Sequence, residues 1–204
     1  RSSLGIADTV SLFDDRLQVT VGARRQSITS RNYDRDTGAV DSSYDSHVWS
    51  PAAAIVVRPT RSVSVYANYI EGLQPGQTVS DRYLNAGQVF APYQSKQYEA
   101  GVKTEWHQRL ITTVSVFQIA RPSTVDLPTQ PAPTLALNGE QRNRGIEFNV
   151  FGEPVRGVRL NGGLMVIDAE LRKTDGGEQD GNRAPAVPRW RAVVSGEWDL
   201  PPLP

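Results

Sequence analysis

The segment YEAGVKTEW, residues 98–106, carries the clearest pattern in the chain. One set of alternate positions is apolar or aromatic and the other is charged or small: Tyr98, Ala100, Val102, Thr104 and Trp106 against Glu99, Gly101, Lys103 and Glu105. Because successive side chains of a β-strand point to opposite faces, this alternation predicts a two-faced strand. In a strand tilted by about 40°, its terminal rings would lie roughly 20 Å apart along a bilayer normal, near the spacing of the aromatic girdles of a membrane barrel.

Eight further segments show a similar alternation, although the first is poorly patterned and 110–120 is ambiguous by face. They are residues 6–13, 17–24, 49–57, 62–69, 110–120, 144–151, 158–168 and 190–200. The last of them has a second aromatic pair on one face, Trp190 and Trp198. The sequence therefore predicts an all-β chain of about nine strands.

The composition agrees with this prediction and removes other classes. Hydrophobic residues make up 38% of the 204 residues, with 17 glycines and 14 prolines, as expected for many strands joined by turns. The 22 basic and 22 acidic residues balance, so no net field favours nucleic acid as a partner. The sequence contains no cysteine, which excludes disulfides and thiolate metal sites. No apolar run approaches the roughly 18 residues that a membrane helix needs.

The connections alternate in length. Short turns at 14–15, 58–61, 107–108 and 153–157 separate long polar stretches at 30–46, 74–94, 122–141 and 172–188. Outer-membrane barrels have short periplasmic turns and long extracellular loops, whereas a soluble β-sandwich rarely contains structureless loops of that length. We therefore expect an antiparallel, up-and-down transmembrane β-barrel. It would be partial, because nine strands would leave two edges that lipid cannot satisfy.

Five phrases resemble, in order, the C-terminal barrel of TonB-dependent ferric-siderophore receptors. They are LGIADTVSLFDDRLQVTVGAR at 4–24, SVYANYIEGLQPG at 64–76, KQYEAGVKTEW at 96–106, NGEQRNRGIEFNVFGEP at 138–154 and APAVPRW at 184–190. The resemblance implies a plugged barrel of about 22 strands in the bacterial outer membrane. Residues 1–204 would then be part of the barrel domain, with the plug domain, the TonB-contacting segment and the last strands lying outside this sequence.

The same resemblance implies the partners and the site. The partners would be outer-membrane lipid, the protein's own plug domain, TonB through the N-terminal region, and a ferric siderophore, which is transported cargo; no protein-bound cofactor is expected. Candidate ligand contacts on the long loops are Arg31, Tyr33, Tyr44, Gln74, Tyr83, Phe90 and Tyr93. Candidate plug-facing residues of the lumen are Arg24, Glu99, Lys103, Glu105, Arg144, Arg159 and Arg191. Ordinary solvation and ion pairing within the lumen is the alternative role for the second group.

Enzymatic signatures are lacking in the sequence. The chain has two histidines, His47 and His107, and neither a phosphate-binding loop nor a G-x-S-x-G motif. The acidic stretch 175–181 lacks the ligand spacing of a calcium loop, so no metal site is predicted. We expect a receptor and transporter and not an enzyme. The alternatives are a plug-less porin or adhesin-type barrel, and a soluble β-sandwich binding module.

Overall fold

The structure, a computed structural model, describes residues 2–33 and 36–200, apart from the side chains of Ser30, Asn32, Asp41, Ser42 and Tyr44. The described strands are β1 Ser2–Leu12, β2 Leu17–Tyr33, β3 Val40–Thr60, β4 Val63–Gln74, β5 Tyr93–Trp106, β6 Leu110–Leu127, β7 Thr134–Val155, β8 Val158–Arg172 and β9 Trp190–Trp198. A single turn of 3-10 helix, Asp175–Gly177, lies between β8 and β9. Within the described ranges, no helix is long and apolar enough to cross a membrane.

The nine strands form one sheet in sequence order, and each pairs antiparallel with its neighbours along the chain. This is the up-and-down arrangement expected from the sequence, and the nine predicted strands are confirmed. A β-sandwich needs two sheets packed face to face, whereas the described strands make a single sheet. The sandwich alternative is therefore wrong. The sheet is partial and does not close on itself.

One face of the sheet is apolar from edge to edge. A cross-strand row of paired residues contains Leu12, Leu17, Val57, Val65, Val102, Val114, Phe148, Leu164 and Ala192. The next row on this face contains Val10, Val19, Ile55, Ala67, Ala100, Val116, Ile146, Val166 and Trp190. These side chains are open to the surroundings, with Val102 at 41% and Ile146 at 56% exposure. So large an exposed apolar surface is suited to lipid and not to water.

The opposite face is polar or small at most positions. The cross-strand row that lies between the two apolar rows points to this polar face. It contains Ser11, Gln18, Val56, Tyr66, Gly101, Ser115, Glu147, Met165 and Arg191. The ring of Tyr66 lies over Gly101, where a Cβ atom would come within 2.8 Å of it. From this position Tyr66 donates a hydrogen bond to Glu99, Oη to Oε1 at 2.6 Å. The absence of a side chain at Gly101 thus leaves room for the Tyr66 ring, whose hydroxyl binds Glu99 on the polar face.

The short connections lie at one end of the sheet, which we call the turn end, and the long ones lie at the other, the loop end. The turns, residues 13–16, 61–62, 107–109 and 156–157, match the predicted short connections. Two predicted long loops are shorter than expected, because the strands extend into 30–46 and 122–141 and leave only 34–39 and 128–133 between them. Polar side chains do not prevent strand pairing where both faces meet water. The connections 75–92 and 173–189 remain long.

Candidate ligand-facing surface

The connection 75–92 and the hairpin tip between β6 and β7 fold together. Val79, Tyr83, Phe90 and Leu135 form a buried apolar cluster, with Leu137 packed against it. The chain enters this unit through Gly76, where a Cβ atom would lie 1.6 Å from the carbonyl oxygen of Phe90. Only glycine permits so close a backbone approach. We call this unit the loop clasp.

Hydrogen bonds hold the two halves of the loop clasp in register. Asn85 binds the backbone of Leu135 twice, since its Nδ2 donates to the carbonyl oxygen at 2.9 Å and its Oδ1 accepts from the amide at 3.1 Å. The amide of Leu84 donates to the carbonyl oxygen of Pro133 at 2.9 Å. Tyr83 donates to Asp126, Oη to Oδ1 at 2.8 Å. The connection is therefore an ordered part of the wall and not a free loop.

This packing corrects two of the predicted ligand contacts. The side chains of Tyr83 and Phe90 are 5% and 9% exposed, so neither is free to meet a ligand as the loops are packed. Aromatic residues in a long loop are typical of recognition surfaces, which is why the sequence predicts both as ligand contacts. Their apolar bodies instead form the interior of the loop clasp, and the Arg82 guanidinium stacks 4.6 Å from the Tyr83 ring centroid.

Two other predicted contacts meet on the polar face. Gln74 ends β4 and Tyr93 begins β5, and the two are register partners at the loop end. Both are partly exposed. They share a face with Gly72 and Ser95, and therefore with Glu99 further along β5. An amide and a phenol side by side offer a hydrogen-bond donor, an acceptor and an aromatic surface to a polar ligand.

A second polar group on this face was missed by the sequence analysis. Arg121 donates through Nε and Nη2 to Oε1 of Gln141, at 3.2 and 2.6 Å, and Nε2 of Gln141 donates to Oδ1 of Asn143 at 2.9 Å. Gln141 is buried and Arg121 partly buried. The described partner of the guanidinium is a neutral amide, so its positive charge is oriented without being neutralised. The sequence did not predict this group because 122–141 was predicted as a loop. The strand shows in an alternation that begins at Gln141: residues 141, 143, 145 and 147 fall on one face and residues 142, 144, 146 and 148 on the other.

The remaining ligand candidates belong to the β2–β3 hairpin. Arg31 is exposed and Tyr33 is 57% exposed near the end of β2. The backbone of Tyr44 in β3 pairs with that of Ser30 in β2, but the Tyr44 side chain lies outside the described part of the chain. Arg31 and Tyr33 are accessible, and their contact with a ligand stays a prediction.

Six of the seven predicted plug-facing residues lie on the polar face: Arg24, Glu99, Lys103, Glu105, Arg159 and Arg191. Arg144 does not. It shares its face with Ile146 and Phe148, and it lies two residues from Ile146 in the direction of the loop end. Its placement in the lumen was therefore wrong, because the two-residue period of β7 puts 144 on the apolar side. There it donates from Nε to Oε1 of Gln118 at 2.7 Å.

The polar-face residues differ in the hydrogen bonds and ion pairs that they make within the wall. Glu99 accepts hydrogen bonds from Tyr66 at 2.6 Å and from Gln97 at 3.1 Å. Arg159 pairs with Glu197 and Asp199, each at 2.8 Å. Among the described residues, the hydrogen-bond partner of the Arg24 side chain is the hydroxyl of Ser3, at 2.8 Å. Across the described residues, no group of three or more His, Cys, Asp or Glu is placed to hold a metal ion.

A wall with an exposed apolar face, a polar opposite face, short turns at one end and ordered loops at the other is the wall of an outer-membrane β-barrel. The chain belongs to the TonB dependent receptor-like, beta-barrel family, whose model matches residues 1–203. It is thus a protein of the bacterial outer membrane. Membership favours a receptor barrel over the porin and adhesin alternatives.

Two of the relatives are named for ferrichrome. The chain is 40% identical to the ferrichrome receptor FcuA of Yersinia enterocolitica over 98% of its own length and 27% of the relative's. It is 26% identical to the ferrichrome outer membrane transporter/phage receptor of Escherichia coli K12, over 88% of this chain and 23% of that one. The chain therefore spans about a quarter of the length of the curated relatives it matches.

Solved structures show the same fold. The ferric preacinetobactin receptor BauA of Acinetobacter baumannii superposes with a TM-score of 0.75 at 37% identity, over 98% of this chain and 29% of that one. The siderophore receptor PiuA of the same organism superposes with a TM-score of 0.78 at 20% identity, over 98% and 31%. At that lower identity the likeness is one of fold alone.

Proposed function

We propose that this chain is part of the barrel wall of a receptor that imports a ferric siderophore across the outer membrane with energy delivered through TonB. The observation that carries the proposal is the 40% identity to a ferrichrome receptor over 98% of the chain. The remaining strands, a plug domain and a TonB-contacting segment would belong to the rest of the protein. The siderophore would be cargo, and the wall would perform no chemistry on it.

The ligand surface of this wall would be the polar face at the loop end. Gln74 and Tyr93 lie opposite one another there, and Arg121, held by Gln141, lies on the adjoining strand β6. Ferric siderophores present oxygen atoms and, in many cases, negative charge, which an oriented guanidinium and a phenol can bind. The loop clasp would form a preordered side of this surface, which reduces the conformational entropy lost on binding.

The plug would dock against the polar face closer to the turn end. Among the described residues, Lys103, Glu105 and Arg191 are the predicted plug-facing residues that make neither an ion pair nor a side-chain hydrogen bond, unlike Arg24, Glu99, Arg144 and Arg159. Charged groups on a concave wall can hydrogen-bond to a plug and exchange partners when it moves. Glu99 and Arg159, which already have partners in the wall, would contribute less.

The function is tested with the full-length receptor in iron-starved cells that lack other ferrichrome receptors. Uptake of radiolabelled ferric ferrichrome should depend on the receptor and on TonB. Tyr93→Ala and Arg121→Gln should each lower ferrichrome affinity by about tenfold, the cost of roughly one hydrogen bond to a charged or polar group. Tyr98→Ala is the matched control, because Tyr98 lies on the apolar face of the same strand.

The outcomes separate the function from the assignment of residues. If the receptor carries no ferric siderophore in a panel of hydroxamate, catecholate and mixed chelates, the proposed function is wrong. If it carries one but Tyr93→Ala and Arg121→Gln behave like Tyr98→Ala, the function stands and the ligand surface is misplaced.

A further inference from the structure

The turn end carries a regular basic feature that lies outside the proposed ligand surface. Each of its four short turns contains one exposed arginine: Arg16, Arg61, Arg109 and Arg156. These arginines recur once per hairpin along the wall. None of the ion pairs recorded among the described residues includes any of them. The side chains are therefore free to bind a partner outside this part of the wall.

The acidic residues of the turn end offset only part of this row. Asp14 and Asp15 lie in the first turn, with Arg16. Glu153 is engaged in its own turn, where its Oε1 accepts a hydrogen bond from the amide of Gly157 at 2.6 Å. The turns that contain Arg61 and Arg109, residues 61–62 and 107–109, have no carboxylate. The positive charge is thus least compensated in the two middle turns.

Two tryptophans give the level of this row relative to the membrane. Trp106 is the residue before the turn 107–109, and it donates from Nε1 to the hydroxyl of Thr112 at 2.9 Å on the apolar face. Trp198 ends β9 beside the turn 156–157, where the amide of the next residue, Asp199, donates to the carbonyl oxygen of Gly157 at 2.8 Å. Indole rings of membrane proteins settle at the boundary between acyl chains and headgroups. Arg109, three residues after Trp106, and Arg156, in the turn beside Trp198, then lie at the depth of the headgroups, and Arg16 and Arg61 lie in the other two turns of the same end.

We infer that Arg16, Arg61, Arg109 and Arg156 form a row that binds the phosphate groups of phospholipids in the adjoining leaflet, with a preference for anionic headgroups. The planar guanidinium binds phosphate through two parallel hydrogen bonds, which explains why a row of arginines suits this partner. A basic residue near a membrane surface contributes about 1 kcal/mol towards anionic lipid, which corresponds to roughly fivefold in binding. The row would fix the height of the barrel wall in the membrane.

The test uses the full-length receptor purified in detergent and titrated with phosphatidylglycerol or phosphatidylethanolamine, with bound lipid counted by native mass spectrometry. The double variant Arg61→Gln/Arg109→Gln should lower the preference for phosphatidylglycerol by at least fivefold. The variant with all four arginines changed to glutamine should lower it further. Both effects should shrink in high salt, which screens exposed charges.

The matched control is Arg82→Gln/Arg183→Gln, which removes the same charge from exposed positions in the connections 75–92 and 173–189 at the loop end, neither of them next to a tryptophan in the sequence. It should leave the lipid preference within twofold of the unmodified receptor. Equal losses in both double variants would show a general effect of charge and overturn the inference. An unchanged preference in the four-arginine variant would overturn it too, and would point to an acidic protein partner at this rim. Circular dichroism of each variant checks that the barrel is folded.

Discussion

Val102→Arg tests the membrane-facing side of the wall most directly. Val102 lies in the apolar cross-strand row between Val65 and Val114, and it is 41% exposed. It is four residues from Tyr98 and four from Trp106, which places it about 10 Å from each ring along the bilayer normal for a strand tilted by about 40°. An arginine at this depth should destabilise the inserted barrel by about 2–4 kcal/mol, or about 30- to 700-fold in the folding equilibrium.

The measurement is the free energy of folding of the full-length receptor into lipid vesicles, obtained by denaturant titration and followed by heat-dependent gel mobility. Asn149→Arg is the matched control, because Asn149 is exposed on the polar face near that depth and already contacts Glu147 at 3.0 Å. It should change the folding free energy by less than about 1 kcal/mol. If Val102→Arg costs no more than Asn149→Arg, the apolar face does not meet lipid and the assignment of faces is wrong.

Two further predictions concern the loop end. Asn85→Ala removes both hydrogen bonds to the Leu135 backbone, so the loop clasp should lose about 1–3 kcal/mol and the Leu135 amide should exchange faster, while the Val102 amide should not. The pKa of the Asp180 carboxyl is lowered, first by a hydrogen bond from the amide of Thr174 and then by one from its hydroxyl. The contribution of the Asp180 carboxylate to loop stability should therefore be complete above the ordinary aspartate pKa of about 3.9. It should be lost as the pH falls through the lowered pKa. The protection factor of the Thr174 amide, which corrects for the intrinsic pH dependence of exchange, should therefore fall in acid, and this fall should be absent in Asp180→Asn.

Much of the wall could be predicted because strand faces follow a local rule. The two-residue period of 98–106 identified an apolar and a polar face, and the pairing of Val102 with Val65 and Val114 confirms that division. The short turns were recognisable from their turn-forming residues. The strand ends at 30–46 and 122–141 were not, because polar residues pair as strands once neighbouring strands supply the hydrogen bonds, which local sequence does not reveal.

The site was less predictable than the wall, since it depends on contacts between distant segments. Tyr83 and Phe90 looked like ligand contacts until Val79 and Leu135 were found packed against them. Arg144 looked like a lumen residue until its register with Gln118 showed it on the apolar face. Arg121 gained significance only through its partner Gln141, twenty residues further along the chain.

The sequence by itself determined the class of fold, the order of the strands and the division into an apolar and a polar face. It could do so because alternation and turn chemistry act over a few residues. Only the tertiary structure decided which loop aromatics are buried, which arginines share a face, and that each turn arginine stands at one end of the wall without an ion-pair partner among the described residues. Those properties arise from strand register and packing between segments far apart in the chain, and no short stretch of sequence contains them.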